Sequence, residues 1–218
     1  MIGIFGAGVV GSRVAESLSG DPQTAIAVYD SSQIVAQRLA RRLHETNGLI
    51  QATSRTELFR AKVVVLAGSS PHAPVAKELL ERNVSVVSTS DDIADCLNLL
   101  AFSELAVKKN ATLVIGAASS PGMSGLLVRN MSKAFDSIDE VHIALHGTGG
   151  PACARQHHRA LSGQSIGWHD GEWLRRPAGS GRELCWFPEP VGAYDCYRGE
   201  LPDPLLIKRA FPELSHVT

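Results

Sequence analysis

The chain has 218 residues, its 21 Lys and Arg side chains are balanced by 22 Asp and Glu, and its formal net charge at pH 7 is −1. This balance gives no electrostatic basis for binding nucleic acid or an anionic membrane. The length suits one large domain or two small ones. The four cysteines match no zinc motif, so we predict reduced thiols, no metal site, and a cytoplasmic protein without signal peptide or membrane span.

The first predicted elements are a strand, a glycine-rich turn and a helix. Residues 1–5 form an apolar run typical of a buried strand, and residues 12–18 have a helical pattern. The turn between them carries Gly6, Gly8 and Gly11, which have the spacing of the dinucleotide-binding fingerprint. Because the fingerprint requires this strand–turn–helix context, we predict a nucleotide-binding turn.

Each glycine of this turn has a predicted role. Gly6 permits the tight turn, Gly8 lets the backbone approach a pyrophosphate, and Gly11 lets the helix pack close to the strand. Free N–H groups at the helix start then face the phosphate charge. We predict cofactor contacts at these glycines and at the two helix-start residues between them, Val9 and Val10.

An acidic residue follows the second predicted strand. The β-like run over residues 25–29 ends in Asp30, about 20 residues after the glycine turn, where a carboxylate binds the adenosine ribose. We predict that Asp30 and Ser31 contact the cofactor. A carboxylate there repels a 2′-phosphate, which favours NAD, although Arg38 or Arg41 leaves NADP open. The alternative is a tight turn followed by an ordinary surface aspartate.

Alternating elements continue to residue 118. Ala36, Leu39, Ala40 and Leu43 recur at helical spacing. Beyond them, strand patterns alternate with helix patterns: strands at 49–52, 62–67, 84–88 and 111–116, and helices at 74–82 and 91–109. This alternation predicts an α/β fold with a doubly wound, parallel Rossmann sheet over residues 1–122.

The pattern changes in the remainder, where we predict a second, smaller α+β domain over residues 123–218. A helix is predicted at 126–135 and a half-buried strand at 138–146, and Asp170-Gly171 is a good hairpin turn. Residues 215–218 show no convincing element. A domain this small has little core, so we expect it to be incomplete or to need a second subunit.

Ligands of doubly wound sheets bind outside the carboxyl ends of the strands. The loops predicted there supply further cofactor contacts, namely Gly68, Ser69, Ser88, Pro121 and Gly122. The second domain adds a glycine-rich loop over residues 146–150, which includes Thr148. Any one of these residues can equally serve only to form a turn.

Two histidines are predicted to transfer protons. His72 follows the fourth strand and His146 ends a predicted strand beside the glycine-rich loop, and imidazole can exchange a proton near neutral pH. The alternative for His72 is a surface histidine at a helix start. Arg155 and Arg159, four apart on a predicted helix, face either a carboxylate substrate or solvent.

The chain resembles the saccharopine dehydrogenase-like family. The resemblance rests on the three glycines of the turn, on the loop at Ser88, and on residues 120–127, which open a helix. The acidic residue typical before Pro121 is Ser120 here, and the aromatic often following Ser88 is Thr89. These departures argue against saccharopine itself as the substrate.

The resemblance implies NAD(P)-dependent oxidation or reduction at a C–N bond of an amino-acid conjugate. It also implies a mixed second domain that binds substrate and often pairs subunits, so we expect a homodimer. The sequence thus predicts an NAD(P)-dependent oxidoreductase acting on a small amino- or imino-acid-like substrate. The alternatives are an NAD-binding regulatory module and a relative that kept the fold but lost catalysis.

Overall fold

The computed structural model describes residues 1–147 and 149–218, so Thr148 of the predicted loop lies outside the described residues. The chain divides into two compact units, a first unit of residues 1–90 and 94–117 and a second unit of residues 91–93 and 118–218. The division falls before Ala118, earlier than the predicted boundary at residue 122. Ala118 donates its N–H to the Pro121 carbonyl and bridges to Gly122, so this segment folds with the helix that follows.

The first unit is built on a six-stranded parallel sheet, as predicted. Its strands are β1 (Ile2–Phe5), β2 (Ile26–Tyr29), β3 (Ile50–Ala52), β4 (Val63–Leu66), β5 (Ser85–Ser88) and β6 (Leu113–Ile115). They lie in the order β3-β2-β1-β4-β5-β6, and every neighbouring pair is parallel. This is the doubly wound order of a Rossmann sheet, in which the order reverses between β1 and β4.

Six helices connect these strands and build two apolar clusters. They are α1 (Val9–Ser19), α2 (Gln33–Leu43), α3 (Arg55–Leu58), α4 (Ala73–Glu81), α5 (Ile93–Leu100) and α6 (Ser103–Lys108). The four apolar residues predicted at helical spacing in α2 are all buried, in one cluster with Ile4 of β1. The other cluster contains residues of α4, α5 and α6.

Two predictions for the first unit need correction. The single helix predicted at 91–109 is two helices, because the chain turns at Ala101 and the Ser103 hydroxyl donates to the Leu100 carbonyl at 2.7 Å. The short helix α3 was not predicted. Its signal is a capping box, in which Ser54 accepts the N–H of Glu57 at 3.2 Å.

In the part of the second unit that the structure describes, three α-helices combine with two antiparallel or mixed sheets. Its elements are α7 (Met123–Met131), which continues as a 3-10 helix (Ser132–Ala134), β7 (Glu140–Val141), α8 (Pro151–Ala160), β8 (Gln164–His169), β9 (Glu172–Pro177), β10 (Glu183–Phe187), β11 (Gly192–Cys196), α9 (Asp203–Ala210) and β12 (His216–Val217). One sheet has the order β7-β12-β8-β9, and β10 pairs with β11 alone. The small core contains Val141, Ile207, Phe211, Leu214 and Val217.

The hairpin predicted in this unit is confirmed. β8 and β9 pair in antiparallel register, with Trp168 opposite Trp173. The turn residues Asp170 and Gly171 have φ values of 44° and 100°. Both are positive, as a two-residue type I′ hairpin turn requires.

Two strand predictions in this unit need correction: one strand is shorter than predicted, and another was not predicted. The strand predicted at 138–146 covers only Glu140–Val141, and residues 216–217, where no element was predicted, form β12 between β7 and β8. β12 is only two residues long and offers partners to only two residues of β7. Alternating hydrophobicity marks a strand face, whereas the length of a strand depends on its partner. Within the described residues, no helix is both long and apolar enough to cross a membrane.

Candidate functional site

The glycine turn between β1 and α1 can be formed only by glycine at two of its positions. Gly6 has φ +103°, and a Cβ on it would lie 2.6 Å from the Gly68 amide nitrogen. A Cβ on Gly11 would overlap the Gly6 carbonyl oxygen and lie 3.4 Å from the Ile4 side chain of β1, so α1 packs close to the strand, as predicted. A Cβ on Gly8 would meet no atom within 4 Å. Gly8 therefore borders open space, where a ligand can approach the backbone.

Helix α1 begins beside this open space. Within the described residues, no side chain caps its start at Gly8, and its first turn contains no acidic residue. The first N–H groups of a helix need an outside partner and carry a partial positive charge. Val9 and Val10 at this end are exposed. The turn and helix start together form a site suited to an anion.

The Asp30 carboxylate at the end of β2 is fixed against this turn. Its Oδ2 accepts the Ala7 N–H at 2.8 Å, and its Oδ1 accepts the Ser32 N–H at 2.8 Å. The Ser31 hydroxyl lies 3.5 Å from Oδ1. Each carboxylate oxygen can accept two hydrogen bonds, so Oδ2, which has one donor, keeps capacity for a hydroxyl. Asp30 thus combines a fixed negative charge with a free acceptor position.

The loop after β4 adjoins the turn through backbone contact between Gly68 and Gly6, so the structure brings these two predicted residues together. Gly68 and Ser69 are both exposed. Gly6, Leu66 at the end of β4 and the following Ala67 are buried, so Gly68 and Ser69 are what this contact exposes. They lie at the switch in strand order, where ligands of these sheets bind.

His72 is buried inside the first unit, with 3% of its surface exposed. Its Nδ1 lies 2.8 Å from the Ser88 hydroxyl, and its Nε2 lies 3.1 Å from the Gly68 carbonyl oxygen. Because a carbonyl only accepts, Nε2 carries a proton, and Nδ1 of a neutral ring accepts from Ser88. The ring therefore connects two predicted cofactor residues, and its proton-transfer role stays a prediction.

Asp95 of α5 supports the same loop and was not identified from the sequence. Its two carboxylate oxygens accept the N–H groups of His72 and Ala73, each at 2.8 Å. The carboxylate is buried and lies at the start of α4, where a negative charge is stabilised by the helix. The sequence gives no local signal for this contact, because the partners lie more than 20 residues apart.

In the second unit, the predicted residues Pro121 and Gly122 lie at the start of α7. Gly122 has φ +142°, which favours glycine. The Ser120 and Ser124 hydroxyls both donate to the carboxylate of Asp203, which is 2% exposed in α9. This buried carboxylate fixes the turn before α7, and the sequence analysis missed it.

His146 is exposed and lies against the β10–β11 hairpin. The centroid of its ring is 4.4 Å from that of Tyr194 and 5.6 Å from that of Phe187. The His146 imidazole is thus held by contacts with these aromatic rings while it remains accessible to solvent, and its catalytic role stays a prediction.

On the same hairpin, burial and a hydrogen bond with Cys185 raise the pKa of the Cys196 thiol.

The predicted arginine pair lies on α8, as expected. Arg155 and Arg159 are exposed on this helix, and their role toward a substrate stays a prediction. Among the described residues, no three His, Cys, Asp or Glu side chains are already arranged to hold a metal ion.

The sheet order and the glycine turn define a Rossmann-like fold with an added α+β unit. No family model matches the sequence, and no curated protein matches it. Solved structures do match its fold.

The chain is similar to apo saccharopine dehydrogenase (L-Glu forming) from Saccharomyces cerevisiae, with a TM-score of 0.66 and 19% identity over 99% of this chain and 53% of that one. It therefore spans about half the length of that enzyme. It is also similar to UDP-N-acetylglucosamine 3-dehydrogenase GnnA from Acidithiobacillus ferrooxidans, with a TM-score of 0.56 and 15% identity over 92% of this chain and 69% of that one. The resemblance stated from the sequence is thus confirmed for the fold, which is one found in dehydrogenases.

Proposed function

We propose that this protein is an NAD(P)-dependent oxidoreductase of the saccharopine dehydrogenase-like type. The observation that carries the proposal is the Asp30 carboxylate, held by the Ala7 N–H beside a glycine turn and an uncapped helix start. A positive helix end and a fixed carboxylate at the same turn match the pyrophosphate and ribose of a dinucleotide.

The residues of the turn fit such a cofactor. The pyrophosphate would be held by the backbone around Gly8 and the start of α1, and the adenosine ribose by Asp30. Gly68 and Ser69 would face the nicotinamide half. The Ser88 hydroxyl contacts His72 and accepts the Ser90 N–H. We therefore propose that Ser88 supports the Gly68 loop through His72. When bound, the nicotinamide supplies or accepts a hydride.

We propose a preference for NAD over NADP. The 2′-phosphate of NADP would have to approach Asp30, whose two carboxylate oxygens are held by backbone N–H groups at 2.8 Å. A carboxylate fixed in this way cannot turn aside to avoid a second negative charge. The resulting repulsion disfavours the phosphorylated cofactor.

We propose that the first unit binds the cofactor. We propose that the second unit contributes residues that bind a small amino- or imino-acid-like substrate. The family resemblance supports this division, together with Pro121 and Gly122 at the start of α7. His146 is the favoured proton donor or acceptor because its exposed ring can reach a substrate, whereas the ring nitrogens of His72 are engaged within the chain. We also expect a homodimer, which light scattering would measure.

Hydride transfer tests the enzymatic part of this proposal. Purified protein would be mixed with NADH, a 2-oxo acid and an amine, which form an imine in solution, and NADH absorbance would be followed. We expect NADH to be oxidised only when both imine components are present, and more slowly in His146→Ala. If the protein binds NADH but does not oxidise it with the imine or with the oxo acid, an oxidoreductase of this type is contradicted.

A second candidate is a cofactor-binding module without turnover. The engagement of both His72 ring nitrogens within the chain favours it, because one of the two predicted proton-transfer residues then serves to hold a loop. NADH binding without reduction of any tested imine would support this candidate.

A further inference from the structure

One face of the four-stranded sheet carries a row of titratable side chains that the proposed function does not use. The strand registers place four of them side by side across β7, β12, β8 and β9, namely Glu140, His216, His169 and Glu172. Side chains alternate along a strand, so the adjacent apolar row with Val217 points to the other face, into the core. The polar row lies on the face that is turned away from this core.

The geometry around His216 has the spacing of metal ligands. Its Nε2 lies 3.5 Å from Oδ2 of Asp170 in the β8–β9 turn. This distance is long for a hydrogen bond. Two donor atoms bound to one tetrahedral Zn²⁺ at about 2.0–2.1 Å, however, are separated by about 3.4 Å. The two atoms are therefore already at the separation that a shared ion would impose.

The other nitrogen of His216 has the partner that metal-bound histidines use. Its Nδ1 lies 3.4 Å from Oε1 of Glu140 and 3.1 Å from the Ser215 hydroxyl. A histidine that binds a metal through one nitrogen usually donates its other N–H to a carboxylate, which fixes the orientation of the ring. Glu140 is in position to do this for His216.

His169 supplies a third donor. Its ring meets the His216 ring edge to face, with centroids 4.8 Å apart. Its Nε2 lies beside Gly167, where a Cβ would be 3.7 Å away, an ordinary contact distance. Among the described residues no three donors converge as they stand, so the site requires the His169 ring to turn toward His216.

We propose that His169, His216 and Asp170 form a binding site for a divalent transition-metal ion, with Glu140 as the outer partner of His216. Two imidazoles and one carboxylate suit Zn²⁺ and similar ions rather than Mg²⁺ or Ca²⁺. Asp170 is exposed, so an ion can enter from solvent. No metal site was predicted from the sequence, because His216 is distant in the chain from the adjacent His169 and Asp170.

The charges on this face favour a cation. Three carboxylates, those of Glu140, Asp170 and Glu172, are opposed by the guanidinium of Arg176 on β9. His142 lies nearby, with Nε2 at 3.1 Å from Glu140 and Nδ1 at 2.7 Å from the Thr218 hydroxyl. We place His142 outside the ligand set, because its two nitrogens contact Glu140 and Thr218 rather than Asp170.

Calorimetric titration of the full chain with Zn²⁺ tests the site, using protein that carries no histidine tag and has been treated with a chelator. We expect one ion per chain. Asp170→Asn should weaken binding at least tenfold while it preserves the turn, because asparagine tolerates a positive φ. His216→Ala should abolish this binding, and Glu140→Gln should weaken it about 10- to 100-fold, as is typical for a lost outer partner.

The matched control is His157→Ala, which removes an exposed histidine of α8. We expect it to bind Zn²⁺ like the unmodified protein, and Co²⁺ in place of Zn²⁺ to show the absorption of a tetrahedral site. The proposal is overturned if no stoichiometric binding occurs, if His157→Ala weakens binding as much as His216→Ala, or if Asp170→Asn leaves the affinity unchanged. Asp170→Asn keeps the test decisive even if His216→Ala does not fold.

Discussion

The two units differ in how far apart in the chain their structural partners lie. In the first unit, strand, turn and helix follow one another within a few residues, and the glycine turn sits directly between β1 and α1. In the second unit, α7 is tied to Asp203 about 80 residues later, and the short strand β12 completes the sheet from the end of the chain. Local sequence patterns therefore identify the elements of the first unit, whereas the second unit is completed by contacts between distant parts of the chain.

The largest expected effect concerns the glycine turn of the first unit. Gly11→Ala would place a Cβ against the Gly6 carbonyl oxygen, so the turn and α1 must move apart. We expect this substitution to destabilise the protein by about 3 kcal/mol or more, measured by urea unfolding.

Gly8→Ala is the matched control for this prediction. A Cβ at position 8 meets no protein atom within 4 Å, so stability should change by less than about 1 kcal/mol. NADH affinity should fall, because the new methyl group occupies the space proposed for the pyrophosphate. Equal loss of stability in the two variants would show that the turn is not packed as described.

The next effect concerns the long-range contact of the second unit. Asp203→Ala would leave the Ser120 and Ser124 hydroxyls without their buried acceptor. We expect a loss of about 2–4 kcal/mol, since a buried polar group without its partner is costly. All three tryptophans lie in the second unit, so their fluorescence during urea unfolding would report this loss. Asp136→Ala, at an exposed position, is the control and should have little effect.

β12 gives a smaller but equally direct test. Val217 is fully buried in the core of the second unit, so Val217→Ala should reduce stability by about 2 kcal/mol. Thr218→Ala, one residue further and exposed, should change it by about 0.5 kcal/mol at most. If both substitutions are neutral in urea unfolding, the end of the chain does not form part of this sheet.

The smallest expected effect separates the two roles of His72. Ser88→Ala removes the hydroxyl that donates to His72 Nδ1, and we expect a loss of about 1 kcal/mol in thermal or urea unfolding. If His72 only positions the Gly68 loop, the same variant should weaken NADH binding without changing the pH dependence of turnover. A shifted pH profile would instead support proton transfer by His72.

The parts of the structure that could be predicted are those with local signals. The sheet, the glycine turn, Asp30 and the Asp170-Gly171 hairpin each follow from a pattern within a few residues or from a fixed spacing. The capping box Ser54–Glu57 was also a local signal and was overlooked.

The remainder depends on partners that no local pattern identifies. The sequence predicted Asp30 for the ribose, but not that its carboxylate also holds the Ala7 N–H. Asp95 and Asp203 are each a buried acid whose importance comes from donors in another element. A two-residue strand such as β12 has too little pattern to predict, and its position depends on the two strands beside it.

The most direct test of the central claim is calorimetric titration with NADH and NADPH, carried out on the unmodified protein and on Asp30→Ala. Glu45→Gln, which alters an exposed acid of the same unit, is the control. We predict that the unmodified protein and the control bind NADH more tightly than NADPH, and that Asp30→Ala loses at least tenfold in NADH affinity and most of this preference. Binding of neither nucleotide, or an unchanged preference in Asp30→Ala, would contradict the proposal that this turn binds the cofactor.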